Sequence, residues 1–473
     1  MRSLTRLSLL LLFSVLVLSA CGPTAQETGS EGQLNADPTD AVSEEEPMDE
    51  SPTEPPPTEA PPTEPPPTPT EAPPTATATP GTPSGMLDHT IAFGGTQAYL
   101  WEADNGTRYQ EMHPDLVLSR RSTNLYSSPV PNTFYGYLES EDQADVYTSF
   151  IVGSLRDYVA EGAIADIGDL WDEMGWHDAF PESIREMVTF DGKQYFVPMA
   201  LQWNPIWYRT DIFAEVGLEP PQTWEEFLAA CDTLSEAGYI PVTVATSGWT
   251  PPVARWFSIL NMRLNGPQFH EALMDGEESY DDPRVRAVFE HWAELIEHDC
   301  FPEGRTSYQD AATQIFDGEA AMYNLGEWLS ESREDGLPQT LDFFSFPILN
   351  PDVPRGEIVH VYGSYMPVNA QHPIEARRFL AYLGAVESQT SNVETLGRVA
   401  SNVNVDSSLY NDVYSRGLQF VQEADHITQL FEFNTHSAMA AEGLRLFVRF
   451  MGNPQEIDEV IEELEAARVR TFE

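Results

Sequence analysis

The chain has 473 residues and carries 76 acidic against 24 basic side chains, a formal net charge of -52. That excess disfavours nucleic acid, whose phosphates are neutralised by Lys and Arg, and an anionic membrane face; Lys193 is the sole lysine. A hydrophobic fraction of 41%, with 11% aromatic residues, excludes a wholly disordered chain and is enough for two folded units.

At the amino end, Arg2 and Arg6 precede an apolar run from Leu7 to Leu18. The run is shorter than the roughly 20 residues of a permanent span, so residues 1–20 read as an export signal. Leu18, Ser19, Ala20 and Cys21 resemble a bacterial lipobox, which implies cleavage before Cys21 and lipidation of its thiol. The alternative is an ordinary signal peptide that happens to contain a cysteine. The expected location is extracytoplasmic, lipid-anchored to the cell membrane. Residues 21–85 follow as a tether built on repeats such as Pro55-Pro56-Pro57-Thr58-Glu59-Ala60. From 22 to 85 there are 17 prolines and 13 acids with no Lys or Arg, a composition that cannot form a core. Residues 86–473 still hold 63 acids against 22 bases, so the acidity belongs to the folded part and disfavours anionic ligands.

From Gly85 onward short strand-like runs alternate with helices. Thr90 to Phe93, ending at Gly94 and Gly95, predicts a first buried strand and turn, and Ala144 to Tyr147 a second strand. Thr223 and Glu226 have capping-box spacing ahead of Phe227, Leu228, Cys231 and Leu234, with Gly238 as the stop. Asp282 and Pro283 open a helix whose Val285, Val288, Phe289, Trp292, Leu295 and Ile296 keep the stripe of a core-facing surface. From Ser437 the pattern is almost wholly helical. Interleaved strands and helices predict an α/β protein with mostly parallel sheets. Cys231 and Cys300 can pair in an oxidising compartment or remain buried thiols, and both readings stay open. No metal site is expected, because His291 and His298 lack a matching cysteine pair.

Three clusters carry a resemblance: Asp191 to Pro198, Trp207 to Phe213, and Pro220 to Phe227. Together they resemble the central signature of extracellular solute-binding proteins of family 1, the maltose-binding branch that serves sugar ABC transporters. Further patches agree in order: Phe316 to Met322 with Gly326 and Trp328, Ser364 to Asn369 with Ile374 to Leu380, and Phe450 to Glu456. The resemblance covers residues 88–473, loosely over the first hundred. It implies a two-lobed periplasmic-binding-protein-like fold of type II, with a ligand trapped as the lobes rotate about a hinge. The implied lobes are 86–200 plus 356–400 and 201–355 plus 401–473, with crossovers at Ala200 to Asn204, Pro347 to Arg355 and Arg398 to Asn402. It also implies a mono- or oligosaccharide ligand, a transporter permease as partner, no cofactor and a monomer.

A sugar site needs flat aromatic platforms and planar polar groups. Trp328, beside Glu327, stands at the family's aromatic position. Trp203 lies between Gln202 and Asn204 on the expected first hinge, Trp249 in a loop-like run, and Tyr362 on the returning strand. Thr96 and Gln97 follow the first strand, at whose carboxyl end ligands sit in parallel sheets. Trp207, Trp224, Trp256 and Trp292 read instead as core. A secreted glycosidase or an adhesion module are the rival readings. No Gly-x-Ser-x-Gly elbow, His-Glu-x-x-His helix, phosphate loop or dinucleotide fingerprint occurs, so no catalytic residue is expected.

Overall fold

The computed structural model describes residues 85–91, 96–122, 143–150, 154–333 and 335–473. The export signal, Cys21, the tether and the Gly94-Gly95 turn lie outside the described residues. Among those described, no helix is long and apolar enough to cross a membrane.

The architecture is two-lobed α/β, and each lobe is built on one sheet. The first sheet runs in the order β12 (Val399–Ala400), β6 (Val197–Trp203), β11 (Gly356–Tyr365), β3 (Val146–Phe150), β1 (Met86–Ile91), β2 (Val117–Ser122), with β13 (His426–Thr428) added to the start of β11. The second runs β10 (Leu341–Phe344), β7 (Ile206–Arg209), β9 (Ala320–Asn324), β8 (Ile240–Thr243). A small hairpin, β4 (Thr189–Phe190) with β5 (Lys193–Gln194), stands apart. The sheets are mixed. β1 is parallel to β2 and β3, β8 to β9 and β13 to β11, whereas β11 runs antiparallel to β3 and β6, and β6 to β12.

The outward crossing is two residues long. β6 ends at Trp203 and β7 begins at Ile206; Pro205 between them offers no amide hydrogen and cannot extend β6. Asn204 fixes the exit, its backbone N–H and its Nδ2 both donating to the Ile358 carbonyl at 3.1 and 3.2 Å. On the return, Glu357 accepts from Arg263 Nη2 and Arg355 Nε, both at 2.7 Å, which ties the start of β11 to the second lobe. β6 and β11 are buried along their whole length. At Gly363, where the register of β11 against β6 shifts, a Cβ would meet the Val197 carbonyl at 2.1 Å, so only glycine permits the approach.

The second lobe is organised around the helix Pro251–Asn265, buried from Pro252 to Arg263. Trp256, Phe257, Phe289, Trp292 and Phe447 form its aromatic centre, and Trp207 and Trp224 are buried as well. Thr223 and Glu226 make the reciprocal capping box of the helix Trp224–Glu236, and Asp282 caps Pro283–Glu297 through the Arg284 amide. Cys231 and Cys300 are joined by a disulfide inside this core. The carboxy-terminal part comes back to the first core before it leaves again. Val399 and Ala400 pair with β6, and Tyr414, Phe420 and Val421 of the helix Asp412–Gln422 pack in the first core; Leu430 and Phe431 open the second.

Candidate functional site

Buried polar side chains converge where the two sheets meet, and Arg255 lies at their centre. It sits at the start of the second turn of the helix Pro251–Asn265, which two prolines open at positions whose missing amide hydrogens leave nothing unsatisfied. The guanidinium is fully buried. Its Nε donates to Asn204 Oδ1 at 3.1 Å, and its carbon lies 4.9 Å from the Trp328 ring and 6.0 Å from the Trp249 ring, in cation–π range. Trp249 in turn meets Tyr308 edge-on at 5.2 Å.

Trp328 belongs to the short 3-10 helix Glu327–Ser332, and its indole folds back over Gly326. A Cβ on Gly326 would fall 1.8 Å from that ring. Gly326→Ala is therefore expected to expel the indole from beside Arg255, with a shift in tryptophan emission and a stability loss of about 1–3 kcal/mol. An unchanged emission spectrum and melting temperature would contradict the packing seen here.

β11 supplies the facing wall. His360 and Tyr362 are two apart on the strand and share a face. The His360 ring lies 5.6 Å from Trp328, 5.5 Å from Phe150 and 5.3 Å from Phe433, and Phe150 lies 5.4 Å from Tyr362. Burial and the Arg255 charge push the His360 imidazole down to about 3, so it is neutral. Its Nδ1 meets Gln429 Oε1 at 3.4 Å, and its Nε2 has no hydrogen-bond partner among the described residues.

A second cluster adjoins on the β6 and β12 side. Arg398, fully buried, pairs with Glu331 and reaches Glu327 at 3.9 Å. With the Gln202 amide oxygen turned toward it, Arg398 Nη1 and Nη2 donate to Gln202 Oε1 at 3.0 and 3.1 Å. Burial pushes the Glu327 carboxyl up to about 8 although Arg398 pulls it down, so Glu327 keeps its proton at neutral pH. Three residues on, the Ser330 and Tyr414 hydroxyls meet at 3.3 Å.

Of the residues expected from sequence, Trp328, Glu327, Gln202, Asn204, Trp249 and Tyr362 come together around these two arginines. Trp203 does not join them. Strand alternation sends Gln202 and Asn204 to the face of His360 and turns Trp203 to the other, where it packs edge-on against Tyr414 at 5.2 Å. Thr96 and Gln97 open the helix Thr96–Met112 directly after β1. Sequence reasoning missed Arg255, His360, Arg398, Glu432 and Phe433. The signal available for Arg255 was a charged residue set in the apolar run Val253 to Leu260.

Beside Gln429 and Phe433 a cavity of about 540 Å³ opens, lined by Arg156 and by the acids Glu182, Glu186, Glu271, Asp275 and Asp425. Its acidity disfavours anions. Arg156 pairs with Asp275 at this mouth, and Arg416 with Asp342 elsewhere between the lobes. Asp88, Asp145 and His372 are the one group among the described residues with metal-ligand spacing. Both Asp145 oxygens already accept backbone N–H groups, from Asp88 at 2.8 Å and His372 at 2.7 Å, and the group lies by the amino-terminal parts of β1 and β3.

The profile of the family described as bacterial extracellular solute-binding protein matches residues 88–390. An uncharacterized ABC transporter extracellular-binding protein, PH1214 of Pyrococcus horikoshii, is 24% identical over 291 residues, 60% of this chain and 64% of that one. The diacetylchitobiose binding protein DasA of Streptomyces coelicolor is 26% identical over 243 residues, 49% of this chain and 54% of its own. The chain thus spans between half and two thirds of the length of these relatives. Among solved structures, the bacterial solute receptor AcbH superposes with a TM-score of 0.74 at 24% identity, over 82% of this chain and 99% of that one. Maltose-bound MalE3 of T. maritima superposes at 0.65 and 17% identity, over 81% and 99%. At these identities the likeness is one of fold.

Proposed function

Because the chain belongs to the bacterial extracellular solute-binding protein family, we propose that it captures a carbohydrate between its lobes and delivers it to the permease of an ABC transporter. The observation that carries this reading is the balance of charge around partly buried ring faces. With Glu327 protonated, Arg398 is offset by Glu331, and the Arg255 charge acts on Glu432, beside Trp328 and Trp249. Aromatic faces with paired carboxylates and guanidiniums suit a neutral ligand that offers C–H surfaces and hydroxyls. The relatives point the same way: DasA is named for diacetylchitobiose, another relative for alpha-glucosides, and AcbH is described by a preference for β-D-galactopyranose.

The lobes then divide at Asn204 to Pro205, between Phe344 and Gly356, and at Gln429 to Leu430, and closure brings Arg398 and Gln202 of the first against Glu327 and Glu331 of the second. Proteins of this family work outside the cytoplasm. Lipidation at Cys21 with the 21–85 tether would hold the domain at the membrane, as a monomer that binds without turning over its ligand. The test is titration of the full chain with galactose, maltose, raffinose and diacetylchitobiose. At least one is expected to change tryptophan fluorescence and, at a hundred times its Kd, to stabilise the fold by about 2.7 kcal/mol. Silence across the panel, or release of smaller sugars, would overturn the reading.

A further inference from the structure

Glu432 is the second residue of the four-residue helix Phe431–Asn434. Both ends of that helix are pinned. Phe431 is packed in the second core, 4.9 Å from Phe447 and 5.8 Å from Phe257, and its N–H donates to Ser258 Oγ at 3.2 Å. Asn434 Nδ2 donates to Glu271 Oε2 at 2.9 Å and to Thr428 Oγ1 at 3.0 Å. Ser258 and Arg255 are three apart, so one face of the helix Pro251–Asn265 meets both Phe431 and the neighbourhood of Glu432. Phe433 turns instead to His360 and Phe150.

Held in this way, Glu432 is only 8% exposed, yet its carboxylate oxygens have no partner on any other residue among the described residues, its own backbone N–H alone lying near them. A buried carboxylate left without partners on other groups is unfavourable, and such groups in native structures ask for a function. The charged group that acts on it is Arg255 from the helix Pro251–Asn265, which also acts on the neutral His360 of β11. Glu271, from the helix Pro267–Met274, is occupied by Thr428 and Asn434.

We propose that Glu432 is the specificity-determining residue of the interlobe site, its two oxygens accepting hydrogen bonds from adjacent hydroxyls of the ligand while Arg255 holds its charge. The proposal rests on the carbohydrate reading above and adds to it the feature that is read, a vicinal diol. A site that leaves a carboxylate unpaired when the hydroxyls are missing discriminates strongly against analogues that lack them.

The experiment is isothermal titration of the full chain, wild type and Glu432→Gln, with galactose, maltose, raffinose and diacetylchitobiose at pH 8 and pH 6. For a sugar that the wild type binds, Glu432→Gln is expected to weaken binding at least tenfold at pH 8. Burial pushes Glu432 up to about 7, and protonation removes an acceptor, so wild-type affinity is expected to fall about tenfold from pH 8 to pH 6. The variant should lose that step. Glu327 titrates in both proteins and cancels when the two profiles are compared. Unchanged affinity in Glu432→Gln would overturn the proposal while leaving the carbohydrate reading intact. If the wild type binds none of the four sugars, the reading itself fails and the proposal with it. Should Glu432→Gln not fold, Glu432→Asp keeps the charge but withdraws the oxygens; weakened binding with the wild-type pH step is then expected, and unchanged affinity overturns the proposal.

Discussion

Replacing Arg398 with methionine is expected to destabilise the protein by about 3–5 kcal/mol at pH 9, the range for removing one partner of a buried ion pair. Arg398 is fully buried and compensates Glu331 and, at 3.9 Å, Glu327, while also holding the Gln202 oxygen. The loss should depend on pH. Glu327 is raised above its unfolded value to about 8, so the folded state binds its proton more tightly than the unfolded chain does. Its contribution to stability is therefore greatest at low pH and is lost as pH rises toward 8. Without Arg398 the carboxyl climbs further, so the penalty grows in alkali. At pH 6 Glu327 is neutral in both proteins and the variant should lose less. Chemical denaturation at the two pH values measures this, and equal losses would mean that Arg398 and Glu327 are not coupled.

The second large effect concerns the bond between Cys231 and Cys300, which closes a loop of 69 residues. On chain entropy such a crosslink restricts the unfolded state by about 4 kcal/mol. Replacing both cysteines with alanine is expected to lower the stability of the second lobe by that order, with the proposed ligand binding retained at saturating ligand. Retention is expected because the pair links the helix Trp224–Glu236 to the segment after Pro283–Glu297 inside the second core and is not among the side chains gathered around Arg255. A denaturation midpoint equal to that of the wild type would show that the bond does no more than fill space.

Between sequence and structure, the local features transfer well. The Thr223–Glu226 capping box, the Asp282-Pro283 helix start and the four core tryptophans depend on neighbours within a few residues, and the structure has them. Trp328 with Glu327, and Gln202 with Asn204, lie around Arg255 and Arg398. Trp203 shows the limit of reading position without parity: a residue between two cleft-facing neighbours on a strand must point the other way.

What the sequence alone determined is the α/β class and, through the family resemblance, the two-lobed fold, because caps, stripes and signature runs are properties of adjacent residues. What only the tertiary structure decided is the site. Arg255, Glu327, His360, Arg398 and Glu432 come from five separate segments, and only Glu327, beside Trp328, was expected from sequence. They meet because the chain crosses between sheets at Asn204 and returns through β11. A carboxylate without partners on other residues is visible only after every other group has been packed.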